Sequence, residues 1–163
     1  KVEVLTAKVQ KQLTDYRFRS FNPGEIVLST DNFRPLVRER VGKDIVEKEI
    51  NFEVSASDAI RLKWAYLLAT FELKRSGKTN HPGLVIFDEP GQQEIDSASL
   101  FAFLTRAGAV SSDDGQIIVS TSEPLDLVQQ EIGGRARIVD FPGFILQPQD
   151  GQAERAADRS SDA

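Results

Sequence analysis

Asp88 and Glu89 stand side by side at the end of an apolar run, in "HPGLVIFDEPGQQEID" (81–96). Leu84-Val85-Ile86-Phe87 reads as a strand, and by its composition the most buried one in the chain. In open parallel sheets ligands sit beyond the carboxyl ends of strands, which is where this pair would lie. A carboxylate there can hold Mg²⁺, chiefly through the ion's own waters. A second carboxylate beside it can take a proton from an attacking water. The same letters also suit a plain polar exit turn, and the pair alone does not choose between the two.

The elements that must position these residues follow from periodicity. Residues 1–16 carry Val2, Leu5, Val9, Leu13 and Tyr16 three or four apart, which predicts a helix. Two heptads suit the end of a coiled-coil arm and an amphipathic helix equally. "SFNPG" breaks that pattern, "EIVLST" (25–30) reads as a strand, and residues 31–54 are charged, with a strand or two near Ile45–Val54. A longer helix over 55–74 places Ile60, Trp64, Leu67, Leu68 and Phe71 on one stripe. Trp64 on that stripe reads as core. Strand 84–88, helix 97–107 closed by Gly108, strand 116–120 and helix 124–132 then alternate, with Pro124 and Gly133-Gly134 at the last helix's ends. "ARIVDF" and "GFILQ" read as two short final strands. The alternation predicts an α/β fold with a largely parallel sheet, flanking helices and right-handed crossovers. Residues 149–163 are small, polar and charged, as a disordered tail would be.

Composition narrows the function classes. With 40% apolar and 28% charged residues, the chain has an ordinary globular composition. No apolar run approaches the roughly 20 residues that span a bilayer. There is no leader-like start, and the expectation is a cytoplasmic protein with no membrane partner. Cysteine is absent, which removes disulfides and thiolate metal sites. Methionine is also absent, position 1 included, as in an internal piece or a processed chain. A net charge of −5 gives no global attraction to nucleic acid, so any DNA contact needs a local basic patch.

Several segments together resemble the C-terminal lobe of ABC-type ATPases, in particular the SMC/RecN-like branch, whose two lobes are separated by a coiled-coil arm. Leu84–Glu89 matches the Walker B strand, and Pro90 completes the family's DEP. The resemblance implies that Asp88 takes the magnesium position and Glu89 that of the catalytic base. Asp96 is similar to the D-loop aspartate, one residue later than usual, after a "GQQE" turn in place of the common Ser/Thr-containing one. "VSASDAIRLKWAYLLA" (54–69) aligns without gaps on the signature segment. Ser55 holds the serine position, Ala56 and Ser57 replace the two glycines, and Asp58 takes the acidic position. A hydroxyl and free N–H groups at a helix start favour an anion, so Ser55, Ser57 and Asp58 would face the γ-phosphate held by a partner head. Ser55-x-x-Asp58 is equally a capping box on an ordinary helix. After strand 116–120, Ser122 stands where the family has a histidine, and a hydroxyl can hydrogen-bond a phosphate but carries no charge.

The resemblance covers roughly residues 20–147, strongest at 54–69 and 81–96. It implies a lobe over 17–148 with the arm's end at 1–16 before it, and ATP and Mg²⁺ as cofactors. Its implied partners are an N-terminal Walker A lobe of the same protein, a second head in a homodimer, and DNA. No Walker A loop is present: in "ELKRSGKTN", Glu72 stands where the first glycine is required, and Gly77-Lys78-Thr79 reads as a solvated loop. His81 reads as a loop residue at the strand's far end. Three functions remain on these residues: an ATPase lobe, a head that binds nucleotide only to dimerise, and an unrelated Mg²⁺-dependent phosphatase-like enzyme. The third lacks a nucleophile motif beside the carboxylates.

Overall fold

The computed structural model describes residues 1–50, 53–74, 80–92, 94–110 and 115–141. The "GKT" loop, "GFILQ" and the tail lie outside the described residues. Helix α1 (Val2–Asp15) buries Leu5, Val9 and Leu13 on one side, with Tyr16 just beyond its end. It stops in a Schellman arrangement: Arg17 N–H donates to Thr14 O at 3.2 Å and Phe18 N–H to Leu13 O at 3.0 Å. Arg17 occupies the left-handed position at φ 59°, where glycine is usual.

Three strands follow: β1 (Ile26–Leu28), β2 (Pro35–Val41) and β3 (Asp44–Glu49). All pair antiparallel in the order β1-β2-β3. The turn between β2 and β3 is Gly42-Lys43, with Gly42 at φ 66°. A two-residue connection can join only antiparallel neighbours. Helix α2 (Ala56–Lys74) then leads to β4 (Leu84–Asp88), α3 (Ser97–Val110), β5 (Gln116–Ser120) and α4 (Leu125–Ile132). Strands β4 and β5 pair in parallel, Ile86 opposite Ile118 and Asp88 opposite Ser120. The described chain is therefore mixed α/β, with a small parallel pair and a separate antiparallel sheet, rather than one largely parallel sheet.

One core joins the helices. Trp64 stacks on Phe103 at 4.5 Å between ring centres, and Tyr16 and Phe87 meet this pair edge-on. Trp64 is a core residue, as its stripe predicts, whereas Leu67 falls outside the stripe and is exposed. Buried Glu72 of α2 accepts from Lys8 and Gln12 of α1 and from Arg106 of α3. This carboxylate ties three helices together.

Three further expectations change. Helix α3 runs through Gly108 to Val110, because Ala107 and Val110 still face the core. "ARIVDF" forms no strand: residues 136–141 are irregular, with Val139 and Phe141 exposed. A strand needs a neighbour to satisfy its backbone groups, and among the described residues this segment has none. Strand β4 is buried on one face only. Val85 and Phe87 point into the core, while Leu84, Ile86 and Ile118 are 46%, 60% and 41% exposed on the other face of the pair. Parallel sheets normally have both faces covered.

Candidate functional site

The carboxyl end of the parallel pair carries the first group of candidate residues. Asp88 is the last residue of β4, and its Oδ1 accepts the Ser120 hydroxyl from β5 at 3.0 Å. Glu89 donates its N–H to Ser120 O at 2.9 Å, which extends the ladder one residue past the strand. Its backbone then turns into the left-handed region at φ 46°. A glutamate there is strained, and such strain gathers where structure over-determines a functional residue. The turn sends the Glu89 side chain toward β5, where its Oε2 accepts both the Ser122 N–H at 3.2 Å and the Ser122 hydroxyl at 3.1 Å. Pro90 is buried beneath the turn. Asp88 and Glu89 thus leave one strand end together, each held by a serine of the next strand or its exit loop.

The second group gathers at the start of α2. Ser55 Oγ accepts the Asp58 N–H at 3.2 Å, so Ser55 is a helix cap in fact. The reciprocal half of a capping box does not form. Ser55 N–H donates instead to Ser20 Oγ at 3.2 Å. The Asp58 carboxylate, 2% exposed, turns inward. Its Oδ2 accepts the N–H groups of Arg19 and Ser20 at 2.9 and 2.7 Å and the Ser20 hydroxyl at 2.8 Å. Its Oδ1 accepts Arg61 at 2.7 Å. Burial pushes this carboxyl's pKa up, but the Arg19 N–H, the Ser20 hydroxyl and Arg61 outweigh it and hold the group below its ordinary range. Every oxygen of Asp58 is therefore committed within the chain. Ser55 and Ala56 face solvent, and the Ser55 and Ser57 hydroxyls lie 3.3 Å apart at the open end of the helix.

Asp96 joins this second group rather than the first. It precedes α3 and caps it, Oδ1 accepting the Ser99 N–H at 3.0 Å and Oδ2 the Ser99 hydroxyl at 2.6 Å. Oδ2 also accepts Arg61 at 2.7 Å, so one guanidinium forks between Asp58 and Asp96. The Ser99 bond above all, helped by Arg61 and against some burial, pulls the Asp96 carboxyl down to about 2. Among the described residues no hydrogen bond links the two groups.

Sequence reasoning missed Ser20, Arg61, Ser99 and Ser120. Arg61 had a local signal, since it lies three residues after Asp58 on one helix face. Ser120 had another, the residue opposite Asp88 if β4 and β5 align end to end. Ser20, 38 positions from Asp58, had none. His81 lies at the other end of β4 from the carboxylates, its Nδ1 accepting the Gly83 N–H at 3.0 Å.

Among the described residues no cluster of three or more His, Cys, Asp or Glu could hold a metal ion by itself. Asp88 offers a single exposed carboxylate. That suits Mg²⁺ bound together with phosphates and waters, where the protein supplies one or two carboxylates. Among the described residues no helix is long and apolar enough to cross a membrane. No protein-family profile matches the sequence, and no curated protein matches it.

Proposed function

We propose that this chain is the C-terminal lobe of an SMC/RecN-like, ABC-type ATPase head, the partial P-loop NTPase fold its motifs resemble. The observation that carries the reading is a two-stranded parallel pair, among the described residues, with paired carboxylates at its carboxyl end. Asp88 and Glu89 leave β4 together, while Leu84, Ile86 and Ile118 lie bare on one face of the same sheet. That face has the character of a surface built to receive another layer. In this reading the layer is the lobe that brings the phosphate loop and completes an ATP and Mg²⁺ site.

The residues divide the work. Asp88 would hold Mg²⁺ through water, and the ion would offset phosphate charge. Glu89 would accept the proton of the attacking water, its carboxylate aimed by Ser122. Ser55 and Ser57 would meet the γ-phosphate bound by a second head, across a homodimer. Asp58 and Asp96, whose oxygens are engaged inside the chain, would position rather than bind. Cytoplasmic work on DNA in repair, maintenance or defence belongs to the resemblance alone.

A second reading, a head that dimerises with little or no hydrolysis, is favoured by the Ser122 contact. The family's histidine is replaced by a neutral hydroxyl that is already spent on Glu89. Turnover decides between them. The two-lobed protein should hydrolyse ATP, and Glu89→Gln should abolish turnover while keeping ATP binding and accumulating closed dimers. Equal rates for wild type and Glu89→Gln would remove the catalytic-base assignment.

A further inference from the structure

The residues that leave α1 are tied to both caps of the second group. Ser20 Oγ accepts the Ser55 N–H and donates to Asp58 Oδ2, so one hydroxyl touches the cap of α2 and its buried carboxylate. The N–H groups of Arg19 and Ser20 add two more bonds to the same oxygen. Arg61 carries the connection on to Asp96, the cap of α3. Ser99 Oγ, whose proton goes to Asp96 Oδ2, also lies 2.9 Å from Tyr16 O, back at the end of α1. Arg17, held in its left-handed turn, places its guanidinium 3.7 Å from Asp96.

We propose that Ser20 and Arg61 are positioning residues that lock the exit of α1 to the Ser55 end of α2 and the Asp96 end of α3, so that the three move as one body. A buried carboxylate with all its acceptors filled is costly to expose, so the Asp58 junction resists separate motion of its parts. A guanidinium that forks to two carboxylates fixes their separation, which a lysine cannot do. The orientation of α1 then sets where the Ser55 and Ser57 hydroxyls point. What those hydroxyls meet rests on the ATPase reading; the lock itself is a property of this chain.

Amide hydrogen exchange on this chain tests it, comparing wild type, Ser20→Ala and Ser20→Thr. Ser20→Ala should speed exchange about tenfold at residues 55–59, as expected for losing a bond to a buried charged group. It should do so equally at residues 99–100, which it does not touch. Exchange in β4 should not change, and Ser20→Thr should restore both segments. A rise confined to residues 19–22 and 55–59 would overturn the lock. Should Ser20→Ala loosen the whole chain, Arg61→Lys decides. Faster exchange at the amides of Arg19, Ser20 and Ser55, which Arg61 does not touch, supports the lock, and a rise confined to 58–59 and 99–100, or no rise, overturns it. Expected exchange in a two-lobed protein that forms no ATP-dependent dimer supports the lock and counts against the ATPase reading alone.

Discussion

Ser122 gives both of its donors, N–H and hydroxyl, to one oxygen of Glu89, across the exits of two parallel strands. The sequence expectation had Ser122 reaching toward phosphate, in place of a histidine. Its contact with Glu89 makes it an aiming group for the carboxylate. In the two-lobed protein, Ser122→Ala should lower kcat about five- to tenfold, the worth of about 1 kcal/mol for one hydrogen bond. KM for ATP should hold and Ser122→Thr should retain activity. Steady-state kinetics with a raised KM and an unchanged kcat would return Ser122 to the phosphate.

The bare face of the parallel pair predicts an asymmetry between neighbouring residues. Ile86→Lys should alter the stability of this chain by no more than about 0.5 kcal/mol, because the side chain is already in solvent. Phe87→Ala, one residue on and buried, should cost about 3–5 kcal/mol. If the proposed lobe with the phosphate loop docks here, Ile86→Lys should nonetheless abolish co-purification with it. Urea unfolding and a pull-down read both halves, and undiminished co-purification would mean that this face is not where the lobe docks.

Why some of this was legible and some not follows from particular elements. Strands 84–88 and 116–120 and the helix at 55–74 carry strong apolar patterns and turn signals, and the structure places them within a residue of expectation. Strand β2 was overlooked because "PLVRERV" hides its ladder under charge, whereas β3, within the stretch where a strand or two was expected, forms at Asp44–Glu49 with every residue exposed. "ARIVDF" had the composition of a strand without a neighbour to pair with. At the candidate site, the adjacency of Asp88 and Glu89 was readable because both lie on one continuous segment. The inward turn of Asp58 was not, since its partners Arg19 and Ser20 arrive from a distant part of the chain. Local spacing suggested a capping box, and a tertiary contact replaced half of it.

Ser55 carries two separable effects. As the observed cap of α2, Ser55→Ala should cost about 1 kcal/mol of stability. As a contact across a dimer of heads, Ser55→Arg should prevent ATP-dependent dimers of the two-lobed Glu89→Gln protein while a single head still binds ATP. Size exclusion with light scattering would show it. Dimers persisting in a folded Ser55→Arg variant would leave Ser55 as a cap and nothing more.

Acid should weaken the junction around Arg61 in a defined direction. The carboxyls of Asp96 and Asp58 both sit below their ordinary 3.8, Asp96 at about 2. A depressed carboxyl contributes stability that is whole above its unfolded pKa and is lost as pH falls through the folded one. For Asp96 that window runs from about pH 4 to about pH 2. Urea midpoints across it should fall more steeply for wild type than for Asp96→Asn. Parallel curves would show that Asp96 contributes no pH-linked stability.

Titration calorimetry asks most directly whether this chain is half of a nucleotide site. Titrating MgATP into this chain alone should give no binding in the micromolar range, because Asp88 and Glu89 have no phosphate-cradling loop or lysine beside them in the sequence. Titrating it into this chain joined by the lobe that carries such a loop should give saturable binding that Asp88→Asn weakens in a magnesium-dependent way. Micromolar binding of MgATP by this chain alone would contradict the account.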